Sequence, residues 1–201
     1  MIDELLTNKI SNLVNIYRYS GQPLNKAETD SDHVWLMNSM ALVIVPKLNS
    51  LYESESDKLD IKDIVYRVTV HDIDECVTFD IPRNFKYYDQ ELLSNIRRVT
   101  DDILSQSLPK NLITDINNAK DDSRSGFLVR ALDVFQVIFK YHTELYNTGN
   151  HNIIQYINLS VDVLKDLHNY LSTSSYDNVY KNFMDELINE FIEFSYKKFA
   201  I

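Results

Sequence analysis

Glycine and proline are scarce in this chain, with 3 Gly and 4 Pro among its 201 residues. Few helix-interrupting residues, and apolar residues that recur at three- and four-residue spacing, favour an all-α protein. No apolar run reaches the length of a membrane span, and the N-terminus lacks the charged and apolar regions of a signal peptide. The one cysteine, Cys76, excludes an internal disulfide, so we expect a cytoplasmic location.

Basic residues are also few, since the chain has 20 Lys and Arg against 30 Asp and Glu and a net charge of −10. This balance argues against binding to a nucleic-acid polymer or an anionic membrane, but it is compatible with a small basic pocket for a phosphate. The hydrophobic fraction of 44% is enough for a sizeable core, and no obvious linker divides the chain. We therefore expect one domain over residues 1–201, with a small molecule as its ligand.

Seven segments carry the apolar periodicity of amphipathic helices. They span residues 3–19, 31–48, 60–75, 89–104, 127–146, 152–171 and 176–200. Ser31 is the predicted N-cap of the second helix, and Pro46 is expected to kink or end it. Propensity alone would tolerate a strand in the third segment, and we adopt the helix. The last segment is apolar over more than one stripe. This pattern predicts a helix that is buried centrally or that also supplies an oligomer contact.

The stretch from Val70 to Pro82, VHDIDECVTFDIP, threads one histidine and four acids between apolar residues. On a helix His71 and Glu75 share a face, since they are four residues apart, and Asp72 lies three residues before Glu75. This spacing places Glu75 beside whatever His71 and Asp72 bind. The pattern is typical of a site that holds a metal.

Two isolated polar residues elsewhere extend this hypothesis. His33 falls in the first turn of a predicted helix, where it is either a packed histidine or a ligand. Asp133 lies in a strongly apolar helix and needs compensation, either from Arg130 at i, i−3 or from a metal. With His71 and Asp72 they form a plausible set of four ligands. Mixed nitrogen and oxygen donors suit one divalent transition metal, such as Mn, Fe, Co, Ni or Zn, better than they suit Ca.

The order of these residues resembles the H…HD…D signature of the HD superfamily of metal-dependent phosphohydrolases. The similarity is more specific to the bacterial 5′-deoxynucleotidases of the YfbR type, and it extends to phage HD-domain deoxynucleoside triphosphohydrolases. The matching elements are an arginine at the end of the first helix, a histidine segment, the HD block, an aromatic and basic segment and a late aspartate. In this chain they are Arg18, Ser31-Asp32-His33, the block His71 to Pro82, Phe85-Lys86-Tyr87 and Asp133. The resemblance implies a single HD-domain helical bundle.

The resemblance also implies roles for individual residues. Metal ligation falls to His33, His71, Asp72 and Asp133, and the handling of the attacking water falls to Glu75. Phosphate contacts are implied for Arg18 and Lys86, and a position near the sugar or the scissile phosphate for Asp80. The family often has tryptophan after the arginine, where it disfavours a ribose 2′-hydroxyl, and this chain has Tyr19. The family usually has glycine before the loop aspartate, where this chain has Phe79.

The expected function is therefore metal-dependent hydrolysis of 5′-deoxynucleoside monophosphates to a deoxynucleoside and phosphate. A close alternative is hydrolysis of a deoxynucleoside triphosphate with release of triphosphate, in which Arg18, Lys86 and Arg83 hold the longer tail. A non-catalytic nucleotide-binding regulator is the third hypothesis. Relatives form dimers or larger assemblies, so the resemblance also implies a homo-oligomer.

Overall fold

The computed structural model describes residues 10–19, 22–81 and 89–197, and the all-α prediction is confirmed. Seven helices of at least nine residues lie within these ranges: α1 (Asp30–Asn49), α2 (Ile61–Val70), α3 (Gln90–Leu104), α4 (Lys110–Asn118), α5 (Arg124–Thr148), α6 (Ile154–Thr173) and α7 (Asn178–Lys197). Shorter helical pieces are Ile10–Val14, Glu55–Asp57, Glu75–Thr78 and His151–Ile153. Strand-like pairing in the described part of the chain is one isolated antiparallel bridge between Tyr17 and Thr29.

The predicted helix over residues 3–19 is wrong where the structure describes it. A short 3-10 helix ends at Val14, and the chain then turns back on itself. The Arg18 backbone N–H donates to the Glu28 carbonyl at 2.9 Å, and the Asp30 N–H donates to the Ile16 carbonyl at 3.1 Å. These pairings replace helical hydrogen bonds, and they fix the path of the segment that precedes α1. Residues 3–9 of that prediction lie outside the described residues.

The N-cap of helix α1 lies two residues earlier than the sequence predicted. The N-cap is Thr29, not Ser31, because Thr29 Oγ1 accepts from the Asp32 N–H while the Asp32 carboxylate accepts from the Thr29 N–H. This reciprocal capping box satisfies amide groups that a helix start leaves without partners. Pro46 does not end the helix, which continues to Asn49.

The helix predicted over residues 60–75 is shorter than expected. Asp60 caps α2 by accepting a hydrogen bond from the Lys62 N–H, and the helix stops at Val70. Residues 71–74 form a turn that leads into the single helical turn Glu75–Thr78. Helix α4 was not predicted, and it follows Pro109, which provides its N-cap.

Helix α5 is central to the molecule, since it packs against α1, α2, α6 and α7. Its apolar residues surround the helix, as expected for one that is buried on most sides. The fully buried members are Phe127, Leu128, Val129, Ala131, Leu132, Phe135 and Ile138. Polar side chains on such a helix stand out, and Asp133 and Gln136 are two of them.

Helix α7 supplies part of the same core. Tyr180, Met184 and Ile188 are fully buried, and Phe191 stacks on Phe135 with ring centroids 3.9 Å apart. Of the two uses predicted for this apolar helix, central burial is therefore observed. The predicted residues 198–200 lie outside the described residues. Among the described helices, none combines the length and the apolar character that crossing a membrane requires.

A smaller apolar cluster holds the Glu75–Thr78 turn in place. Its buried members are Val70, Cys76, Leu104, Leu108, Ile113, Ile116 and Ala119. Cys76 is buried here. Because Cys76 points into this cluster, the turn that carries it is anchored directly beside His71 and Asp72.

The segment before α1 is tied to one polar face of α5. We call the described residues 16–19 and 22–29 the strap. Four α5 residues at helical spacing form hydrogen bonds to the strap. Gln136 donates to Glu28 at 2.8 Å, and Lys140 donates to the Lys26 carbonyl at 2.8 Å. Tyr141 donates to Gln22 at 2.6 Å, and Glu144 accepts from the Asn25 N–H at 2.6 Å. This face brings the strap residues Arg18 and Tyr19 to the same end of α5 as Asp133.

Candidate active site

The first imidazole of the site is His33, fully buried in the first turn of α1. Its Nδ1 lies 2.6 Å from Gln136 Oε1. Gln136 donates its own amide N–H to Glu28, so its oxygen faces the histidine and must accept. The proton of His33 therefore lies on Nδ1, and the lone pair of Nε2 points into the site.

The second imidazole, His71, follows the last residue of α2. Its Nδ1 lies 2.7 Å from the Val68 carbonyl oxygen, which can only accept. His71 therefore carries its proton on Nδ1 too. In both histidines Nδ1, the nitrogen that faces away from the site, is held by a hydrogen bond. This arrangement is typical of imidazoles that bind a metal through the other nitrogen.

The candidate ligand atoms converge on one place. One nitrogen or carboxylate oxygen from each of His33, His71 and Asp133 lies within 4.8 Å of the others. Asp72 Oδ2 is 2.9 Å from His71 Nε2 and 3.7 Å from His33 Nε2. The structure thus brings together all four residues that the sequence predicted as ligands.

These groups fit a divalent cation chemically. Neither His33 Nε2 nor His71 Nε2 makes a hydrogen bond to the described part of the chain, and both are buried. Asp133 Oδ1 lies 3.2 Å from His33 Nε2, so an anionic oxygen faces a nitrogen lone pair. Two such acceptors repel each other unless a cation lies between them. Two imidazoles with carboxylates suit a borderline transition metal.

Charge around the site keeps its carboxylates ionised. Burial alone would raise the pKa of Asp72, but the charges of Lys120 and Arg18 hold the pKa well below its ordinary value. Burial opposes ionisation of Asp133 as well, and the Lys120 charge holds its pKa well below the usual range. Burial lowers the pKa of His33, and the Arg18 charge acts in the same direction. The resting site therefore has ionised carboxylates and a neutral His33.

Asp133 is not paired with Arg130, the alternative that the sequence left open. Arg130 donates to Asp122 at 3.2 Å and lies over the ring of Tyr170, 4.8 Å from its centroid. The partner of Asp133 is Lys120, whose Nζ donates to Oδ2 at 2.7 Å.

Lys120 is a residue that sequence reasoning missed. It lies in the turn after α4, 13 positions before Asp133, and its Nζ is also 3.8 Å from Asp72 Oδ1. About one third of its side chain is exposed, with a value of 32%. A lysine in a polar turn carries no local signal, and only the fold shows that it borders the ligand cluster.

Arg18 approaches the cluster from the strap. Its Nη1 lies 2.8 Å from Asp72 Oδ2, 3.3 Å from Asp30 Oδ1 and 3.6 Å from Glu75 Oε2. Asp30, 1% exposed, was also missed, because its sequence neighbours Ser31 and Asp32 look equally suited to capping. Burial raises the pKa of Asp30, while Arg18 opposes the shift.

Glu75 is buried on the short turn that follows the HD pair, with 3% exposure. Arg18 Nη1 lies close to both Glu75 Oε2 and Asp72 Oδ2, so the two carboxylates are on the same side of the site. The predicted proximity of Glu75 to Asp72 is produced by the turn at residues 71–74, in which the Glu75 N–H donates to the Asp72 carbonyl at 3.1 Å, since α2 itself ends before His71.

Tyr19 and Asp80 contact each other at the rim. The Tyr19 backbone N–H donates to Asp80 Oδ2 at 2.9 Å, and the Tyr19 ring packs against Tyr141 with centroids 5.4 Å apart. Arg83 and Lys86, predicted to contact phosphate, lie outside the described residues, as do Phe85 and Tyr87.

The fold matches solved structures, among them two HD phosphohydrolases. An HD-domain phosphohydrolase from Listeria innocua is 18% identical, with a TM-score of 0.65 over 96% of this chain and 90% of that chain. A conserved hypothetical protein from Pyrococcus furiosus is 17% identical, with a TM-score of 0.68 over 96% and 99%. The cyanophage S-2L HD phosphohydrolase DatZ, bound to dA and one catalytic Zn²⁺ ion, is 13% identical, with a TM-score of 0.64 over 93% and 96%. The HD-domain helical bundle predicted from the sequence is confirmed.

The family model of the YfbR-like 5′-deoxynucleotidases matches residues 6–191. The chain therefore belongs to the YfbR-like 5′-deoxynucleotidase family, and the resemblance found in the sequence is confirmed. The protein is a hydrolase, and the family supports a metal-dependent nucleotide phosphohydrolase. A search of curated proteins gave no match.

Proposed function

We propose that the protein removes phosphate from 5′-deoxynucleoside monophosphates, with one divalent transition metal held by His33, His71, Asp72 and Asp133. The carrying observation is the convergence of two buried, Nδ1-protonated imidazoles with Asp133 within 4.8 Å. A metal bound there supplies a water of lowered pKa and polarises a phosphoryl oxygen. Family membership supports the deoxynucleotide substrate.

Glu75 is the proposed acid/base group. Its carboxylate is buried 3.6 Å from the Arg18 guanidinium, on the same side as Asp72. From this position it accepts the proton of the attacking water and returns one to the leaving oxygen. Neither a serine nor a cysteine nucleophile is required for this chemistry.

Arg18 and Lys120 are the proposed phosphate contacts. Arg18 approaches Asp72 Oδ2 and Lys120 approaches Asp72 Oδ1, so the two cations flank one carboxylate on its two oxygens. Between them they offset charge on the transferring phosphoryl group. Lys86, which the family resemblance places in the same role, is proposed as a third contact.

Tyr19 and Asp80 are proposed to face the sugar. Their hydrogen bond holds the strap against the loop after the short turn, beside Arg18. A tyrosine ring in this position can exclude a ribose 2′-hydroxyl, as the tryptophan at this place in the family does, or stack on the sugar or base. We propose a preference for deoxyribose on this basis.

Release of triphosphate from a deoxynucleoside triphosphate is the second candidate. Lys120 favours it, because an additional cation at the ligand cluster suits a longer anionic tail. The likeness to DatZ, whose structure holds dA, is compatible with either substrate.

The deciding experiment incubates the purified protein with deoxynucleoside mono- and triphosphates and the matching ribonucleotides, in the presence of Mn, Co, Zn or Mg. The expected result is metal-dependent release of phosphate from the deoxynucleoside monophosphates, abolished in His71→Gln. Triphosphate as product would select the second candidate. Absence of hydrolysis with every metal and nucleotide would contradict both and favour a nucleotide-binding regulator.

Metal binding and oligomeric state are tested separately. Isothermal titration with each metal is expected to show one site per chain, lost in His71→Gln. We also propose a homo-oligomer, as the family resemblance implies, and analytical ultracentrifugation of the wild-type protein tests it. A monomer at all concentrations would contradict that proposal.

A further inference from the structure

Gln136 joins the candidate metal ligand His33 to the candidate sugar contact Tyr19. It is fully buried on α5, one helical turn after Asp133. Its Oε1 is 2.6 Å from His33 Nδ1 and 3.3 Å from the Tyr19 hydroxyl. Its Nε2 donates to Glu28 Oε1 at 2.8 Å. One primary amide therefore contacts three polar residues.

The orientation of this amide is determined by its neighbours. Glu28 offers acceptor oxygens, and its other carboxylate oxygen lies 3.9 Å from Lys140 Nζ. Because the amide N–H must face Glu28, the amide oxygen is left for the His33 N–H and the Tyr19 hydroxyl. The Tyr19 hydroxyl is also 3.4 Å from Glu28 Oε1. The Gln136 amide thus has one consistent orientation, and the Tyr19 hydroxyl proton is shared between Gln136 Oε1 and Glu28 Oε1.

Two properties depend on this shared oxygen. It keeps the His33 proton on Nδ1, so that Nε2 presents its lone pair to the ligand cluster. It also holds the phenol of Tyr19, whose ring packs against Tyr141. Removal of the amide is expected to cost free energy, because the buried His33 Nδ1–H would lose its acceptor.

We infer that Gln136 is a positioning residue that sets both metal affinity and the discrimination between deoxyribose and ribose. It does so by holding His33 and Tyr19 through a single carbonyl oxygen. The sugar part of this inference rests on the proposed function, whereas the metal part rests on the chain's own contacts.

The test compares Gln136→Met, Tyr19→Phe and the exchange variant Glu28→Gln/Gln136→Glu. Methionine keeps the approximate shape but removes the amide. The exchange variant restores the network with the donor on residue 28 and the acceptor on residue 136. Tyr19→Phe removes only the hydroxyl link. Thermal unfolding in a chelating buffer verifies that each variant is folded.

Gln136→Met is expected to bind Co²⁺ about ten- to a hundredfold more weakly by isothermal titration, as removal of a ligand's outer hydrogen-bond partner does elsewhere. The exchange variant is expected to recover most of that loss. Tyr19→Phe should bind Co²⁺ like the wild type, while its ratio of deoxy to ribo kcat/KM falls by about fivefold for one lost hydrogen bond. Gln136→Met should show both defects.

Wild-type Co²⁺ affinity in Gln136→Met, or no recovery in a folded exchange variant, would overturn the inference. An unchanged sugar ratio in Gln136→Met would overturn the coupling to Tyr19. If the wild type hydrolyses no nucleotide, the proposed function fails by itself, and the Co²⁺ titrations still decide the role of Gln136 toward His33. If Gln136→Met does not fold, the exchange variant supports the inference by binding Co²⁺ like the wild type and overturns it by failing to bind.

Discussion

The backbone N–H of Tyr19 donates to Asp80 Oδ2 at 2.9 Å. Tyr19 itself and the residue before Asp80 both have a positive φ. Tyr19 has φ +64° and Phe79, directly before Asp80, has φ +59° with ψ 172°. The region of Phe79 is one that glycine adopts and other residues rarely do. Strain at two residues therefore accompanies the contact between the strap and the loop.

Phe79→Gly is expected to stabilise the protein by about 1 kcal/mol, because it relieves a conformation that costs a non-glycine residue of that order. Phe79 is 65% exposed, so little packing is lost. The denaturant concentration at the midpoint of unfolding measures the effect. Phe79→Ala is the matched control, since it removes the ring and keeps the strain. Equal midpoints for the Gly and Ala variants would show that the backbone at this position is not strained.

The free energy of unfolding is expected to fall as pH drops from 8 to 5. Burial and Arg18 lower the pKa of His33, so the unfolded state, with a pKa of about 6.5, takes up the proton first. The loss therefore begins near the unfolded pKa and continues down to the folded one, with a slope of at most about 1.4 kcal/mol per pH unit for one proton. Below about pH 4 the depressed pKa values of Asp72 and Asp133 add to the loss.

This pH dependence is measured by urea unfolding in a chelating buffer, so that bound metal does not contribute. His33→Gln has no titrating group at this position and should give a flatter profile between pH 8 and 5. Identical slopes for the two proteins would mean that His33 does not carry the effect.

Glu75→Gln is expected to lower kcat by roughly 10² to 10⁴, the range found when a general acid/base is removed, with metal affinity unchanged. The amide keeps the shape of the side chain and cannot accept the proton of the attacking water. Glu55→Gln, at an acid whose side chain is 87% exposed, is the control. Undiminished turnover in Glu75→Gln would assign the proton transfer to another group.

Lys120→Met is expected to raise KM for the nucleotide roughly tenfold to a hundredfold, as the loss of one charged hydrogen bond would. The physical reason is that Lys120 and Arg18 flank Asp72, where the phosphate is proposed to bind. Lys47→Met, at an exposed lysine of α1, controls for the change in net charge. Steady-state kinetics separate KM from kcat, and an unchanged KM would exclude Lys120 from phosphate binding.

The sequence predicted the helical class and pointed to the candidate ligands because those signals are local or carried by a motif. The H…HD…D order identified four residues that the fold brings together, although two lie in α1 and α5 and two follow α2. Lys120, Asp30 and Gln136 were missed because their roles depend on contacts across the fold, 12 to 117 positions apart in the chain. No periodicity or spacing reports such contacts.

The prediction failed most clearly at the strap. Apolar spacing at Leu13 and Tyr17 predicted a helix to residue 19, but the 3-10 helix ends at Val14 and the chain that follows pairs with the backbone of residues 28–30. Long-range polar contacts can outweigh the weak preference of a short segment for a helix. The α5 stripe at Gln136, Lys140, Tyr141 and Glu144 was present in the sequence, and only the structure assigns it a partner.

The polar stripe of α5 has a consequence for recombination between relatives. Arg18 and Tyr19 are carried on the strap, but the strap is bonded to α5 by side chains more than a hundred positions away. A chimaera that imports only the N-terminal segment of another family member would place foreign residues against Gln136 and Glu144. Substrate preference should therefore transfer between these enzymes when the two segments are grafted together, and fail when either is grafted alone.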